Sequence, residues 1–232
     1  MKLGIMQPYF FPYIGYWQLL NAVDKYVIYD DVNYINRGWI NRNNILMSDK
    51  SKMINLPLKH ASQNSLINEI EIFEDKKKKD KLLKTIEMVY RKSTYYDVVF
   101  PMIESIINYE ERNLSRYLQH SIRQINKYLS INTELILSST INKNNILKGE
   151  DKIIEICNIL QADEYYNSIG GQELYSYEKF MDNGIKLKFL KANIVKYRQF
   201  NYKFIPNLSI IDVMMFNSIE DIKKMLDEYE LL

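Results

Sequence analysis

Two adjacent carboxylates, Asp30 and Asp31, close an apolar run at residues 25–31 (KYVIYDD). The polar loop that follows, at 32–44, carries Asn33, Arg37, Trp39 and Arg42. Paired acids of this kind can take a proton from an attacking amine or hold a divalent cation. The planar guanidinium of arginine suits a phosphate or a carboxylate. An indole face can stack on a sugar or a base. The bland alternative, two solvated surface arginines, stays open at this point. Further polar or conformationally special residues recur at segment ends. Gln7-Pro8 ends the first apolar stretch, and Tyr13, Gly15 and Tyr16 follow it. Lys59 and His60 sit between two apolar runs, Asp151 and Ser209 open helical patterns, Gly170-Gly171 follows a third apolar run, and Asp212 lies just past Ser209.

The elements that must position these groups can be read from periodicity. Residues 2–6 (KLGIM) form a strand that Pro8 cannot continue. Residues 15–23 carry Trp17, Leu19, Leu20 and Val23 at helical spacing, and residues 25–30 are β-branched and aromatic. Strand, helix and strand in this order make a parallel pair, and such units bind ligands at the carboxyl ends of their strands. Gln7 and Asp30-Asp31 both occupy such ends. The reading therefore predicts one cleft shared by Gln7, the two acids and the Arg37–Arg42 loop, with Asp212 arriving from the far end of the chain.

Residues 53–58 and 67–72 read as strands, joined as a hairpin or around a sheet edge. From Asp75 the pattern turns helical. Lys76 to Lys79 reads as a solvated first turn, Pro101 suits a second helix start, and a third helix runs over 114–129. Strands are expected at 133–137, 163–167 and 185–190, with helices at 149–160, 175–183, 210–216 and 218–226. Residues 199–206 read as an extended aromatic loop. Gly170-Gly171 after a strand could let backbone N–H groups approach an anion, or could be a tight turn. The fold class expected is α/β: a Rossmann-like parallel or mixed sheet flanked by helices, in one domain over 1–232, with an all-helical insertion at 75–130.

Composition removes several function classes. The 232 residues hold 31 basic and 29 acidic side chains, so nothing in the overall charge draws the chain to nucleic acid. One cysteine, Cys157, excludes an internal disulfide framework, and with only two histidines a Cys/His zinc site is disfavoured. No metal site is expected. Cys157 falls inside an apolar periodic run and reads as core. No apolar run reaches the ~20 residues that span a bilayer, and the first residues do not pattern as a signal peptide. A cytoplasmic location without membrane insertion is the expectation, and homo-oligomer formation stays open.

Several stretches together resemble the WbqC-like protein family. They are residues 6–16 (MQPYFFPYIGY), 30–34 (DDVNY), 38–43 (GWINRN), 56–59 (LPLK), 148–151 (KGED), 168–171 (SIGG) and 204–212 (FIPNLSIID). The resemblance covers nearly the whole chain, although the family more often has glutamine at Asn33. It implies association with bacterial surface-polysaccharide (O-antigen-type) biosynthesis, and transfer of glycine or another acyl group to an amino sugar. The opening is also similar to that of nucleotidylyltransferases, which place a histidine after the helix-opening glycine. Here Tyr16 stands there and cannot carry positive charge, which weighs against adenylation chemistry.

Three readings follow. In the first, an acyl or aminoacyl transferase acts on a nucleotide-linked amino sugar. Asp30 or Asp31 is the base and Asp212 a further catalytic acid. Gln7 and Asn33 orient the substrate, Arg37 and Arg42 hold a diphosphate or carboxylate, and Trp39, Tyr13 and Tyr16 stack on it. Pro8, Gly15, Lys59, His60, Asp151, Gly170, Gly171 and Ser209 complete the expected binding set. The partners are then a sugar nucleotide and an acyl donor, with no cofactor identified. In the second, a nucleotidylyltransferase-like enzyme uses ATP, with Mg²⁺ on Asp30-Asp31. The third is a non-catalytic sugar-nucleotide-binding protein.

Overall fold

The computed structural model describes residues 1–200 and 203–232. β1 (Lys2–Met6) is followed by α1 (Ile14–Asn21) and β2 (Lys25–Ile28). Gly15 is needed at the start of α1 because a Cβ there would come 2.5 Å from the Tyr13 ring, which lies against the first turn. A hairpin of β3 (Arg42–Met47) and β4 (Lys50–Asn55) comes next, then a short ribbon of β5 (Leu58–Lys59) and β6 (Glu71–Ile72). α2 (Lys76–Tyr90) starts on Asp75, whose side chain accepts from Lys78 N. α3 (Tyr96–Ile107) and α4 (Leu114–Leu129) follow, the latter capped by Asn113. The chain then runs through β7 (Glu134–Leu137), α5 (Gly149–Ile159), β8 (Glu164–Ser168), α6 (Tyr177–Asp182) and β9 (Lys186–Ala192). It closes with α7 (Ile210–Phe216), α8 (Ile219–Leu226) and β10 (Tyr229–Leu231).

The central sheet has the order β10-β9-β8-β1-β2-β7. All neighbours pair parallel except β10, which runs antiparallel to β9. Chain order therefore reverses between β1 and β8, and at such a reversal the connections leave in opposite directions and open a crevice at the carboxyl edge. Alternation along each strand divides the core. Leu3, Ile5, Val27, Tyr165, Leu187 and Phe189 pack with Ile153, Ile156 and Cys157 of α5 and Phe180 of α6. Tyr26, Ile28, Tyr166 and Leu190 face the other way, into a larger core with α1, α7, α8 and the buried sides of α2, α3 and α4. Among the described residues no helix is long and apolar enough to cross a membrane.

Three expectations need correction. The strands expected at 53–58 and 67–72 pair with each other only at Leu58–Lys59 and Glu71–Ile72, while residues 50–55 pair instead with β3. β3 opens on Arg42-Asn43-Asn44, residues that rarely signal a strand. Pro101 does not start α3 but lies inside it. The helix forgoes one N–H donor there, and Val99, Ile103, Ile106 and Ile107 are buried around the position. β10 is three residues long, too short for its Tyr-Glu-Leu alternation to have marked it. In the stretch read as an aromatic loop, Asn201 and Tyr202 fall outside the described residues.

Candidate functional site

The carboxyl edge of the sheet carries three depressions side by side. A central cleft of about 640 Å³ sits over the β1–β8 reversal and is lined by Gln7, Tyr9, Tyr13, Gly15, Tyr16 and Tyr29. Trp39, Asn167, the Gly170-Gly171 turn and Tyr175 also line it. A second pocket of about 520 Å³ adjoins it at Tyr29 and is lined by Asp31, Asn33, Asn68, Ser139, Lys148, Gly149 and Lys152, among others. A third, also about 520 Å³, shares Tyr9, Tyr13, Trp39 and Ile169 with the central cleft and extends toward Lys191 and Ile194. The cleft is aromatic and nearly uncharged, whereas the second pocket is lysine-rich.

The two adjacent acids have different surroundings. Asp31 lies under the second pocket with its side chain 10% exposed, and its Oδ2 is 2.8 Å from Lys143 Nζ and 3.0 Å from Lys152 Nζ. Burial alone would raise its pKa, but Lys143, the Ser138 hydroxyl and Lys152 together outweigh burial and hold the carboxyl below its ordinary value. Its Oδ1 has no hydrogen-bond partner. Asp30 is fully buried, and Ser115 Oγ (2.7 Å), Ser139 Oγ (2.8 Å) and Ser139 N (2.9 Å) all donate to it. It ties α4 to the segment after β7 and lies outside the three linings. Since each acid already has its own partners, the pair does not present two free carboxylates to one cation. Among the described residues no group of three or more His, Cys, Asp or Glu could hold a metal.

Asp212 does not arrive at the cleft. It is buried, accepting from Tyr90 Oη at 2.8 Å, Tyr197 Oη at 2.6 Å and Gln199 Nε2 at 2.8 Å. Burial raises its pKa, and these three donors only partly offset that. Ser209 is likewise structural in its contacts: Oγ donates to Phe11 O at 2.8 Å and accepts from Ile211 N, which starts α7. Arg42 Nε donates to Gly38 O at 2.8 Å and its guanidinium lies 6.0 Å from the Trp39 ring, so it steadies the loop that presents Trp39. Arg37 and His60 are exposed at positive φ, Lys59 pairs with Glu71, and Asp151 pairs with Lys179, all outside the three linings. Pro8 is buried at the end of β1. Tyr16 Oη donates to Gln7 O at 3.3 Å, and burial raises its pKa. The fold thus separates what was expected to meet. Gln7, Tyr13, Gly15, Tyr16, Trp39, Gly170 and Gly171 share one cleft, while Asp31 and Asn33 occupy its neighbour.

Sequence reasoning missed Lys143, Lys148 and Lys152, and the aromatic wall of Tyr9, Tyr29 and Tyr175. One signal was legible. Lys152 stands in the first turn of α5, where the helix dipole disfavours a cation. A lysine there asks for an anion, and Asp31 supplies one. Cys157 is buried behind the sheet with its thiol pushed up to about 12, so it is no nucleophile.

Comparison with known proteins agrees with the motifs. The chain is 24% identical over 219 residues to the uncharacterized protein Rv1507c of Mycobacterium tuberculosis, covering 93% of each chain. No solved structure matches it. The family model of the WbqC-like proteins matches residues 7–224, and the chain belongs to the WbqC-like protein family.

Proposed function

We propose that this protein transfers an acyl or aminoacyl group to the amine of a nucleotide-linked amino sugar, in bacterial surface-polysaccharide assembly of the O-antigen type. The observation that carries the reading is the adjacency at Tyr29 of an aromatic cleft and a lysine-rich pocket, both on the carboxyl edge beside the strand reversal. In this reading the sheet is Rossmann-like, residues 1–232 act as one domain, and the 75–130 helices are an insertion that braces Asp30 through Ser115. The protein works in the cytoplasm, where nucleotide-linked sugars are made.

The chemistry assigned is amide formation. The sugar nitrogen attacks the donor carbonyl, a C–N bond forms, the bond to the leaving group breaks, and the nitrogen loses one proton. Of the three acids singled out by sequence, Asp31 alone lines a pocket, and in this reading it receives that proton. Its lowered pKa makes it a weak base, suited to holding the amine and passing its proton to water. Gln7 can donate to the carbonyl oxygen, and Tyr13, Tyr16 and Trp39 offer faces to the sugar.

The test is incubation of purified protein with nucleotide-linked amino sugars and activated acyl or aminoacyl donors, read by mass spectrometry. A mass gain on the sugar that depends on the protein supports transfer. Saturable sugar-nucleotide binding without product across the donors would replace the reading with a non-catalytic binding protein. Pyrophosphate release from ATP would replace it with a nucleotidylyltransferase.

A further inference from the structure

We infer that the pocket between β2, β7 and the start of α5 is the subsite for the phosphorylated sugar portion of the ligand. Its phosphate would meet Lys148, Lys152 and the N-terminus of α5, with a hydroxyl or amine donor on Asn68 Oδ1. The inference rests on the sugar-nucleotide reading above and deepens it.

Charge is the first argument. Lys143 and Lys152 are buried, with side chains 1% and 7% exposed, and they share one carboxylate, Asp31. Asp30, buried one residue away and accepting from the neutral donors Ser115 and Ser139, offsets the second ammonium, so the buried cluster is close to charge balance. The positive field of the pocket comes from Lys148 and the first turn of α5, which line it. The acids nearby do not cancel it. Glu150 and Asp151 are 3.1 Å and 2.6 Å from Lys179 Nζ, and Glu155 accepts from Asn144 N at 3.0 Å.

The second argument is independent of charge. Asp31 Oδ1 and Asn68 Oδ1 are buried acceptors with no donor, and both residues line this pocket. Buried polar atoms are almost always paired; the Ser138 hydroxyl, itself unpaired, can turn to Asp31, which leaves Asn68 Oδ1 as the acceptor that calls for a ligand donor. A phosphate supplies the anion and a sugar supplies the donor. A lone amino acid would satisfy the charges, but a pocket of about 520 Å³ has room for a hexose phosphate.

The test is calorimetric titration of the purified full-length protein with four probes: glucosamine 1-phosphate, glucosamine, inorganic phosphate and glycine. Glucosamine 1-phosphate should bind at least about tenfold more tightly than the other three, the gain expected from one charge-assisted hydrogen bond. Lys148→Ala, at an exposed position, should weaken glucosamine 1-phosphate about tenfold with an unchanged far-UV spectrum. Asn68→Ala should weaken the sugar-bearing probes and leave inorganic phosphate unaffected. Glycine binding as tightly as the sugar phosphate, or Lys148→Ala leaving its affinity unchanged, would overturn the inference. The acyl-transfer assay separates the two readings. Probe binding without any transfer removes the transferase and keeps the subsite, whereas transfer without probe binding removes the subsite alone.

Discussion

Lys152 meets Asp31 twice: its ammonium lies 3.0 Å from the carboxylate Oδ2 and donates to the backbone carbonyl of the same residue at 3.0 Å. A side chain from the first turn of α5 thereby clamps the end of β2, and its charge lies 5.3 Å from the Tyr29 ring that separates the two pockets. Lys143 completes the cluster from the segment after β7, where it also donates to Ser138 O. The three groups hold the carboxyl ends of β2 and β7 and the start of α5 in one arrangement.

Asp31→Asn should destabilise the protein by about 3 kcal/mol or more at neutral pH, because it removes the one carboxylate that both Lys143 and Lys152 contact. The effect has a defined pH dependence. The folded-state pKa of Asp31 is depressed below its ordinary 3.8, so its stabilisation is present above that value and lost as pH falls through the folded pKa. Urea midpoints measured from pH 7 downward should therefore converge for wild type and variant at acid pH. A gap that persists unchanged to pH 3 would show that the carboxylate charge is not what holds the cluster.

Asp212 predicts the opposite slope. Burial raises its folded pKa above 3.8, so its stabilisation is full below that value and declines as pH rises through the folded pKa. Asp212→Asn cannot ionise. The stability advantage of wild type over this variant should be largest near pH 4 and shrink toward neutrality, as read from urea midpoints at matched pH values. An advantage that grows with pH would mean that the hydrogen bonds from Tyr90, Tyr197 and Gln199 outweigh burial after all.

These two acids, with Asp30, also show how far the sequence could be read. Asp30, Asp31 and Asp212 look equivalent as sequence, each an acid at the end or start of a regular element. Their roles divide on long-range partners: Ser115 and Ser139 for Asp30, Lys143 and Lys152 for Asp31, and Tyr90, Tyr197 and Gln199 for Asp212. Local pattern carries no information about partners that lie 13 to 122 residues away along the chain. What was legible came from local constraint. Pro8 stops β1, helical spacing marks α1 and α4, and strand ends place Gln7 and Gly170-Gly171 on the carboxyl edge. The β3–β4 hairpin was illegible because tertiary packing, not strand propensity, holds its polar first residues. Asn43 Nδ2, for example, donates to Phe10 O and Phe11 O at 3.1 Å and 2.9 Å.

Trp39 offers an optical handle on the cleft. The chain has two tryptophans; Trp17 is fully buried, with Nε1 donating to Pro12 O at 3.0 Å, and Trp39 is 45% exposed on the cleft wall. Titration with a nucleotide-linked amino sugar should shift or quench the emission of Trp39 and leave that of Trp17 as constant background. Trp39→Phe should abolish the change and weaken binding by about tenfold, the scale of one aromatic stacking contact. Equal fluorescence changes in wild type and variant would place the ligand elsewhere.

Gly15 and Gly170 line the same cleft but differ in what a methyl group would meet. At Gly15 a Cβ would lie 2.5–2.6 Å from three atoms of the Tyr13 ring, so Gly15→Ala must push that ring from its place at the start of α1. Overpacking of this kind typically costs about 1–3 kcal/mol, and here it also reshapes the cleft wall. At Gly170 a Cβ would meet no heavy atom within 4 Å, and the backbone there is not left-handed, so Gly170→Ala should keep its stability within about 0.5 kcal/mol. The pair therefore separates structure from recognition. Gly15→Ala should lower the thermal midpoint and ligand affinity together. Gly170→Ala should leave the midpoint alone, and any loss of sugar-nucleotide affinity it shows reports directly on a ligand occupying the space above the turn. If Gly170→Ala binds as wild type does, the ligand does not approach the turn, and the phosphate must be sought wholly on the Lys148–Lys152 side of Tyr29.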